Sequence, residues 1–390
     1  MAANSSNGGD LPVLSKEEMS LYSRHLILPQ VGPQGQRRLK AARVLLVGAG
    51  GLGSPLALYL AAAGVGTIGL LDDDLVESSN LQRQIIHGTE SLGRHKTASA
   101  RERMHGLNPH IRVLEFNTRL GSGNALDIFQ NFDVIVDGAD NFPTRYLIND
   151  ACALLGKPDV YGSIFRFEGQ VSVFDARRGG CLRCLFPEPP APGTIPSCGE
   201  GGVLGVLPGI IGSIQANEAI KLLLDGGRPL VDRLLSFDAW NMRFHEFRLQ
   251  KNPRCPLCGE YPEIVELIDY EDFCGLVKDE DAHAVRGISA RELHKRLTRK
   301  DAPQIIDVRL PHELELGMLP GALSIPVAQI FKRAHELDTG RDVVIVCKKG
   351  ENSANAIYGL LENGYPGPLL NLEGGMNAWA REVDPSMPEY

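Results

Sequence analysis

Apolar and polar residues fall in blocks along the first half of the chain, and the blocks have the lengths of buried strands and helices. Arg43–Val47 is a short apolar run, followed by the glycine-rich GAGGLG, the apolar SPLALYLAAAG and a second run, Thr67–Leu71. Short Val/Leu/Ile runs bounded by turn residues read as buried strands, and the longer apolar block between them reads as a helix. Ser54 is the expected N-cap, Pro55 the first helical residue and Gly64 the residue that ends the helix. Upstream, Ser15-Lys-Glu-Glu18 has the form of a capping box and opens a short helix. Downstream, the pattern predicts a helix containing Lys96, a strand Asp133–Val136, a helix Phe142–Leu155 ended by Gly156, and strands around Val160 and Gln170–Phe174. An apolar helix Leu207–Leu224 and a hairpin of Arg233–Ala239 with Met242–Leu249 follow. Beyond an acidic stretch, the alternation resumes on a smaller scale. It predicts a helix Ser289–Leu297, strands Gln304–Val308 and Asp342–Val346, and a helix from Ser353. Strands alternating with helices make this an α/β protein. The expected organisation is a disordered tail over 1–14, a first domain over 15–264, a linker over 265–284 and a second domain over 285–390.

Composition narrows the function without choosing it. A length of 390 residues suits two to three domains with a large core. The net charge of -8 argues against extended contact with a nucleic-acid backbone, so no direct nucleic-acid partner is expected. No apolar run is long enough to span a membrane, and MAANSSNGGD lacks the basic start and apolar core of a signal peptide. Cytosol is the expected compartment. There the eight cysteines read as ligands and nucleophiles rather than disulfides.

Candidate chemistry begins at the glycines. Gly48, Gly50 and Gly53 follow a strand, precede a helix and have the spacing that lets backbone N–H groups and a helix dipole approach a phosphate. Asp72 comes about 20 residues later, where a ribose hydroxyl would sit. A dehydrogenase would use the same turn, but it has no need for Asn80, Arg83 and Lys96 together. A triphosphate does, because its charge must be neutralised before a nucleophile can approach the α-phosphorus. Asp140, after a strand, is a candidate to hold Mg²⁺ through phosphates, while Asp137 suits a turn. Arg24 on its own reads as part of a solvated helix face. Cys181-Leu-Arg-Cys184 and Cys255-Pro-Leu-Cys258 are two knuckles that together complete a tetrahedral zinc site; one such knuckle alone could be redox-active. Between them, PEPPAPGTIPSCGEGG is too rich in Pro and Gly for helix or strand, and reads as a mobile loop carrying Cys198. Cys347 ends a strand and enters a loop leading to a helix N-terminus, with two lysines beside it, a setting that favours a reactive thiol. Ser353 stands where a cysteine phosphatase needs arginine, which disfavours that chemistry.

GAGGLGSP, SSNLQRQ, the paired knuckles and GGVLGVLPGIIG resemble the short sulfur-transfer members of the ubiquitin-activating-enzyme family over about Ser15 to Ile264. From about Val285 to Tyr390 the chain resembles a rhodanese domain, through Asp307-Val-Arg309, Pro320-Gly-Ala322, the Cys347 loop and Gly374-Gly-Met-Asn-Ala-Trp379. The combination resembles the eukaryotic adenylyltransferase–sulfurtransferases that serve molybdopterin synthase and tRNA thiolation. The resemblance implies a Rossmann-like domain with one structural zinc, plus a smaller rhodanese domain. It implies that Gly51, Asp72, Ser79, Asn80, Leu81, Gln82, Arg83, Lys96, Asp140 and Asn141 contact MgATP, with Arg24 lent across a homodimer. Cys347 becomes the persulfide cysteine and Cys198 the loop cysteine that forms a thioester or resolves a disulfide. The partners it implies are ubiquitin-like sulfur carriers ending in glycine and a cysteine desulfurase as donor. Met318, Lys348 and Glu351-Asn352 depart from common rhodanese residues. A nicotinamide-dependent oxidoreductase and a non-catalytic binding scaffold are the rival readings. The first leaves the knuckles, Lys96 and the second domain unexplained; the second would leave the thiols inert.

Overall fold

The computed structural model describes residues 11–190, 201–275, 285–299 and 301–390, and Cys198 lies outside them. One compact unit holds the described residues up to Pro189 together with those from 201 to Tyr270, and a second begins at Glu271. In the first, eight strands form one sheet: β1 (Arg43–Val47), β2 (Thr67–Leu71), β3 (Arg112–Phe116), β4 (Val134–Asp137), β5 (Asp159–Phe165), β6 (Glu168–Phe174), β7 (Arg233–Asp238) and β8 (Arg243–Arg248). Their order is β3-β2-β1-β4-β5-β6-β7-β8. The first five run parallel, and β6, β7 and β8 extend the sheet antiparallel. The chain steps outward from β1 to β3 and then returns to lay β4 on the other side of β1. That reversal opens a crevice outside the carboxyl ends of β1 and β4, the usual ligand position of an open α/β sheet.

Packing around the crevice depends on close backbone approach. The helix Gly53–Ala62 is apolar on most sides because it packs against the sheet and against two neighbouring helices, Lys96–Leu107 and Leu207–Leu224. Gly212 makes that crossing possible: a Cβ there would stand 2.5 Å from Pro55 Cγ and 2.6 Å from the Leu52 carbonyl. Leu46, Leu56, Leu60, Ile68, Val136 and Ile211 fill the space between. Each such side chain contributes about 1.5–3 kcal/mol by burial. The expected capping box forms, with the Glu18 N–H donating to Ser15 Oγ and the Ser15 N–H to Glu18 Oε2. Gly64 ends the helix Gly53–Ala62 in the left-handed region, as expected. Ser54 is not its N-cap, however. Helical geometry already holds at Leu52, so Ser54 falls in the first turn and its hydroxyl donates to the Gly50 carbonyl (2.7 Å). The last residues of the expected tail are also tied down. The Pro12 and Val13 carbonyls accept from Arg37 and Lys40, and Leu14 is buried.

The second unit has a wholly parallel sheet, β11-β10-β12-β13-β9, made of β9 (Gly287–Ile288), β10 (Gln304–Asp307), β11 (Leu323–Ser324), β12 (Val343–Val346) and β13 (Leu369–Leu372). Both faces are covered: Val344 and Val346 enter one apolar cluster, Val343 and Ile345 the other. Burial on two faces is why β12 reads as an uninterrupted apolar run. The helix after Cys347 begins at Glu351, two residues before the expected Ser353, because Gly350 turns the chain at φ +95°. Among the described residues no helix is long and apolar enough to cross a membrane.

Candidate functional site

Three strand ends of the first sheet converge on the crevice. Gly48, at φ +95°, turns the chain sharply after β1, and a Cβ on it would lie 2.9 Å from the Gly138 carbonyl. A Cβ on Gly53 would overlap the Gly48 carbonyl itself. The turns after β1 and β4 are therefore in backbone contact, with no room for side chains between them. Asp72, after β2, accepts from the Ala49 N–H through Oδ2 (2.8 Å) and from the Asp74 N–H through Oδ1 (2.9 Å). Burial raises its carboxyl above the usual range and the nearby Lys96 opposes the rise. Each oxygen keeps a lone pair for a hydroxyl.

The basic residues follow. Lys96 is the first residue of the helix Lys96–Leu107, and its buried ammonium meets the exposed Asp74 carboxylate at 2.6 Å. Arg83 packs its stem 3.8 Å from where a Cβ on Gly51 would be, and its guanidinium donates to the Ser79 carbonyl (3.0 Å). Ser78–Asn80 forms a short helical turn rather than an open loop, with Asn80 buried and its Oδ1 accepting from the Glu77 N–H. Leu81 is half-buried and Gln82 exposed. After β4, Asp140 is exposed, while Asn141 caps the helix Phe142–Leu155 by accepting from the Thr144 N–H (2.9 Å). The structure thus gathers Gly51, Asp72, Arg83, Lys96 and Asp140 around one rim. Arg24 does not belong to that cluster; it is exposed on the short helix Ser23–Leu26.

Two supports of this rim carry no local sequence signal. His87 accepts from Ser99 Oγ at Nδ1 (2.9 Å) and donates from Nε2 to the Ala49 carbonyl (3.0 Å), since a carbonyl can only accept. Burial lowers its pKa, so it sits neutral beneath the glycine turn. Arg145 donates to the Ala139 carbonyl (2.8 Å) and Asp137 accepts from the Ala139 N–H (2.7 Å), which fixes the turn bearing Asp140. Burial pushes the Asp137 carboxyl up to about 6, with Arg145 pulling the other way.

The two cysteine knuckles meet as their spacing requires. Cys181 and Cys255 bring their sulfurs to 3.6 Å, Cys184 and Cys258 to 3.4 Å, and all four lie within 4.8 Å of one another. A tetrahedral ion with metal–sulfur bonds of about 2.3 Å needs sulfurs roughly 3.8 Å apart, so the donor set fits a metal. Hydrogen bonding within the quartet lowers the Cys184 and Cys255 thiols and raises those of Cys181 and Cys258.

In the second unit, Cys347 directly follows β12 and is buried. The Gly350 N–H donates to its sulfur at 3.1 Å, and Ser353 Oγ lies 3.2 Å away. Asn371 Nδ2 donates to the Gly350 carbonyl, which turns its Oδ1 toward the Ser353 hydroxyl (2.6 Å). From the other side, Gly375 packs directly on the Cys347 and Lys348 carbonyls, where any Cβ would overlap them. The Met376 and Asn377 N–H groups donate to those same carbonyls. The loop is braced from both sides, and the Cys347 sulfur has a backbone donor aimed at it.

Comparison with known proteins agrees with this architecture. Residues 22–257 match the ThiF family and residues 289–382 the rhodanese-like domain. The chain belongs to the ThiF family. A probable adenylyltransferase/sulfurtransferase MoeZ of Mycobacterium tuberculosis is 48% identical over 97% of this chain and 96% of its own length. The adenylyltransferase and sulfurtransferase MOCS3 of Culex quinquefasciatus is 42% identical over 97% of this chain and 90% of its own. A sulfur carrier protein adenylyltransferase of Thermus thermophilus is 54% identical over 67% of this chain and 98% of its own. The fold of E. coli MccB, at 22% identity, superposes with a TM-score of 0.55 over 61% of this chain and 75% of that one. This ThiF-family chain is an enzyme of the adenylyltransferase–sulfurtransferase class. Its relatives span bacteria and insects, so they establish the two-domain family and not a eukaryotic branch. A nicotinamide oxidoreductase no longer accounts for the glycine turn.

Proposed function

We propose that this enzyme adenylates the C-terminal glycine of a ubiquitin-like sulfur-carrier protein and then converts that carboxylate into a thiocarboxylate. The observation that carries the reading is the gathering of Arg83, Lys96 and Asp140 around a glycine turn, in a chain whose second unit presents Cys347 on a braced loop. The crevice takes MgATP. Asp72 orients the ribose, and Gly51 leaves its backbone open to phosphate. Ser79, Asn80, Leu81, Gln82 and Arg83 form the phosphate-side wall, Lys96 neutralises the triphosphate, and Asn141 sits beside the nucleotide. Asp140 would hold Mg²⁺, which supplies further charge neutralisation. Arg24 is lent to a second copy in a homodimer; exposed Ile27 and Leu28 beside it suit a covered surface.

The carrier's carboxylate attacks the α-phosphorus and pyrophosphate leaves; positioning and charge neutralisation suffice for this step. A persulfide on Cys347, loaded by a cysteine desulfurase, then attacks the acyl carbon. AMP leaves, and an acyl disulfide joins carrier and enzyme. The terminal sulfur of a persulfide stands about 2 Å beyond Sγ, which lets a buried Cys347 act outside its loop. Attack of the Cys198 thiolate on the Cys347 sulfur would release the thiocarboxylate and leave a Cys198–Cys347 disulfide for an external thiol to reduce. Alternatively, Cys198 takes the acyl group as a thioester. Cys181, Cys184, Cys255 and Cys258 hold one structural zinc, and the enzyme works in the cytosol. The carriers are the small subunit of molybdopterin synthase, a ubiquitin-related modifier used in tRNA wobble-uridine 2-thiolation, or both. ATP–pyrophosphate exchange that appears only when a glycine-terminated carrier is added tests the first half. Absence of exchange with either carrier would overturn it.

A further inference from the structure

The segment Asp384–Tyr390 straps the mouth of the Cys347 loop. It leaves the helix Gly375–Glu382 through a turn in which the Met387 N–H donates to the Asp384 carbonyl (3.0 Å). Met387 then packs on Gly317, with 3.3 Å from its Cγ and Sδ to where a Cβ would be. The Tyr390 backbone pairs with the Asn377 amide in both directions, and the Asn377 N–H in turn holds the Lys348 carbonyl (3.1 Å). These contacts already anchor the strap.

The Tyr390 side chain does something else. Its hydroxyl accepts from Arg309 Nη1 (2.8 Å) and donates to Glu313 Oε1 (3.1 Å). Arg309 is fixed by the buried Asp307 carboxylate and the Gly317 carbonyl, and Glu313 by the Leu310 N–H. The ring is therefore clamped to the loop that follows β10, and its face receives the Lys348 ammonium 4.8 Å from the centroid. Lys348 is the residue after Cys347, and β10 and β12 are adjacent parallel strands. Tyr390 joins the two loops that border the reactive sulfur.

We propose that Tyr390 is a positioning residue for sulfur transfer, holding the Lys348 ammonium at the Cys347 loop as the counter-charge for an anionic sulfur donor. The proposal rests on the sulfur-transfer reading above. Burial keeps the phenol protonated, so the clamp persists across neutral pH.

Thiosulfate is the probe, with the full-length protein. The Cys347 thiolate takes the outer sulfur, the sulfur–sulfur bond of thiosulfate breaks, sulfite leaves with its electron pair, and a persulfide remains. Cyanide then attacks the outer sulfur of the persulfide, the sulfur–sulfur bond breaks, thiocyanate leaves and the Cys347 thiolate is regenerated. Tyr390→Leu and Lys348→Met should each lower kcat/KM for thiosulfate about tenfold, mainly through KM, and the double variant should lose no more than either single one. Tyr390→Phe, which keeps the ring, should stay within about threefold of the wild type. The salt dependence of KM should flatten in Tyr390→Leu, which a merely structural role would not produce. Losses that multiply in the double variant, or a Tyr390→Leu enzyme as active as the wild type, overturn the proposal alone. A wild type that takes no sulfur from thiosulfate overturns the proposal, and one that takes none from a cysteine desulfurase either overturns the sulfur-transfer reading with it.

Discussion

Both sheets deliver their chemistry at the carboxyl ends of parallel strands, but they divide the labour differently. In the larger unit the rim is shared among the turns after β1, β2 and β4 and a helix start. Asp72, Arg83, Lys96 and Asp140 each come from a different place in the chain. In the smaller unit everything converges on one sulfur held by one loop. A triphosphate is wide and its charge is spread, so many partial neutralisers suit it. A nucleophile is a single atom, and a single short loop can present it. Damage to the first site should therefore be graded, and damage to the second all-or-none.

The sharpest break of this comparison is Cys347→Ala. It should cut thiocarboxylate formation by roughly 10³-fold or more while carrier-dependent ATP–pyrophosphate exchange continues. Sulfur transfer surviving this change would misassign Cys347. In the crevice, Lys96→Ala or Asp140→Ala should slow exchange about 10²- to 10³-fold. Neither should alter loading of Cys347 by thiosulfate. Equal loss of both activities would show that the two sites do not divide the labour.

Chelation or Cys255→Ser should lower the thermal transition of the first unit by several degrees, the size of a few kcal/mol. The rhodanese-like unit should melt unchanged when followed by thiosulfate activity. A smaller effect concerns Asp137. Its folded carboxyl is raised to about 6 above an ordinary value of 3.8, so the folded state holds the proton more tightly. Stability from this group is fully present below about pH 4 and is lost as pH rises through 6, by up to about 3 kcal/mol. Asp137→Asn should flatten that loss in denaturant titrations at several pH values. An unchanged slope would mean that Arg145 compensates the charge fully.

Much of this was legible because it is local. The glycine turn, the capping box at Ser15, the helix end at Gly64 and the two cysteine knuckles are all short-range patterns, and each forms. Ser54 was misplaced as the cap by two residues. A helix start depends on where the backbone becomes helical, and Leu52 reaches that geometry first. The same reason moved the start near Ser353 to Glu351, since Gly350 already makes the turn. Asp74 as the partner of Lys96, His87 beneath Ala49, and Asn371 behind Ser353 carried no signal. Each depends on strand order, which brings together residues about 20 to 40 positions apart that no short-range pattern links. Cys198 lies outside the described residues, so its role rests on the sequence reading.

The most direct test of the central claim is the intact mass of a glycine-terminated carrier after incubation with the enzyme, MgATP and a sulfur donor. The account predicts a gain equal to replacing one oxygen by sulfur, dependent on both ATP and Cys347. A carrier that is consumed to an adenylate but never gains sulfur, or that gains sulfur without ATP, would contradict it.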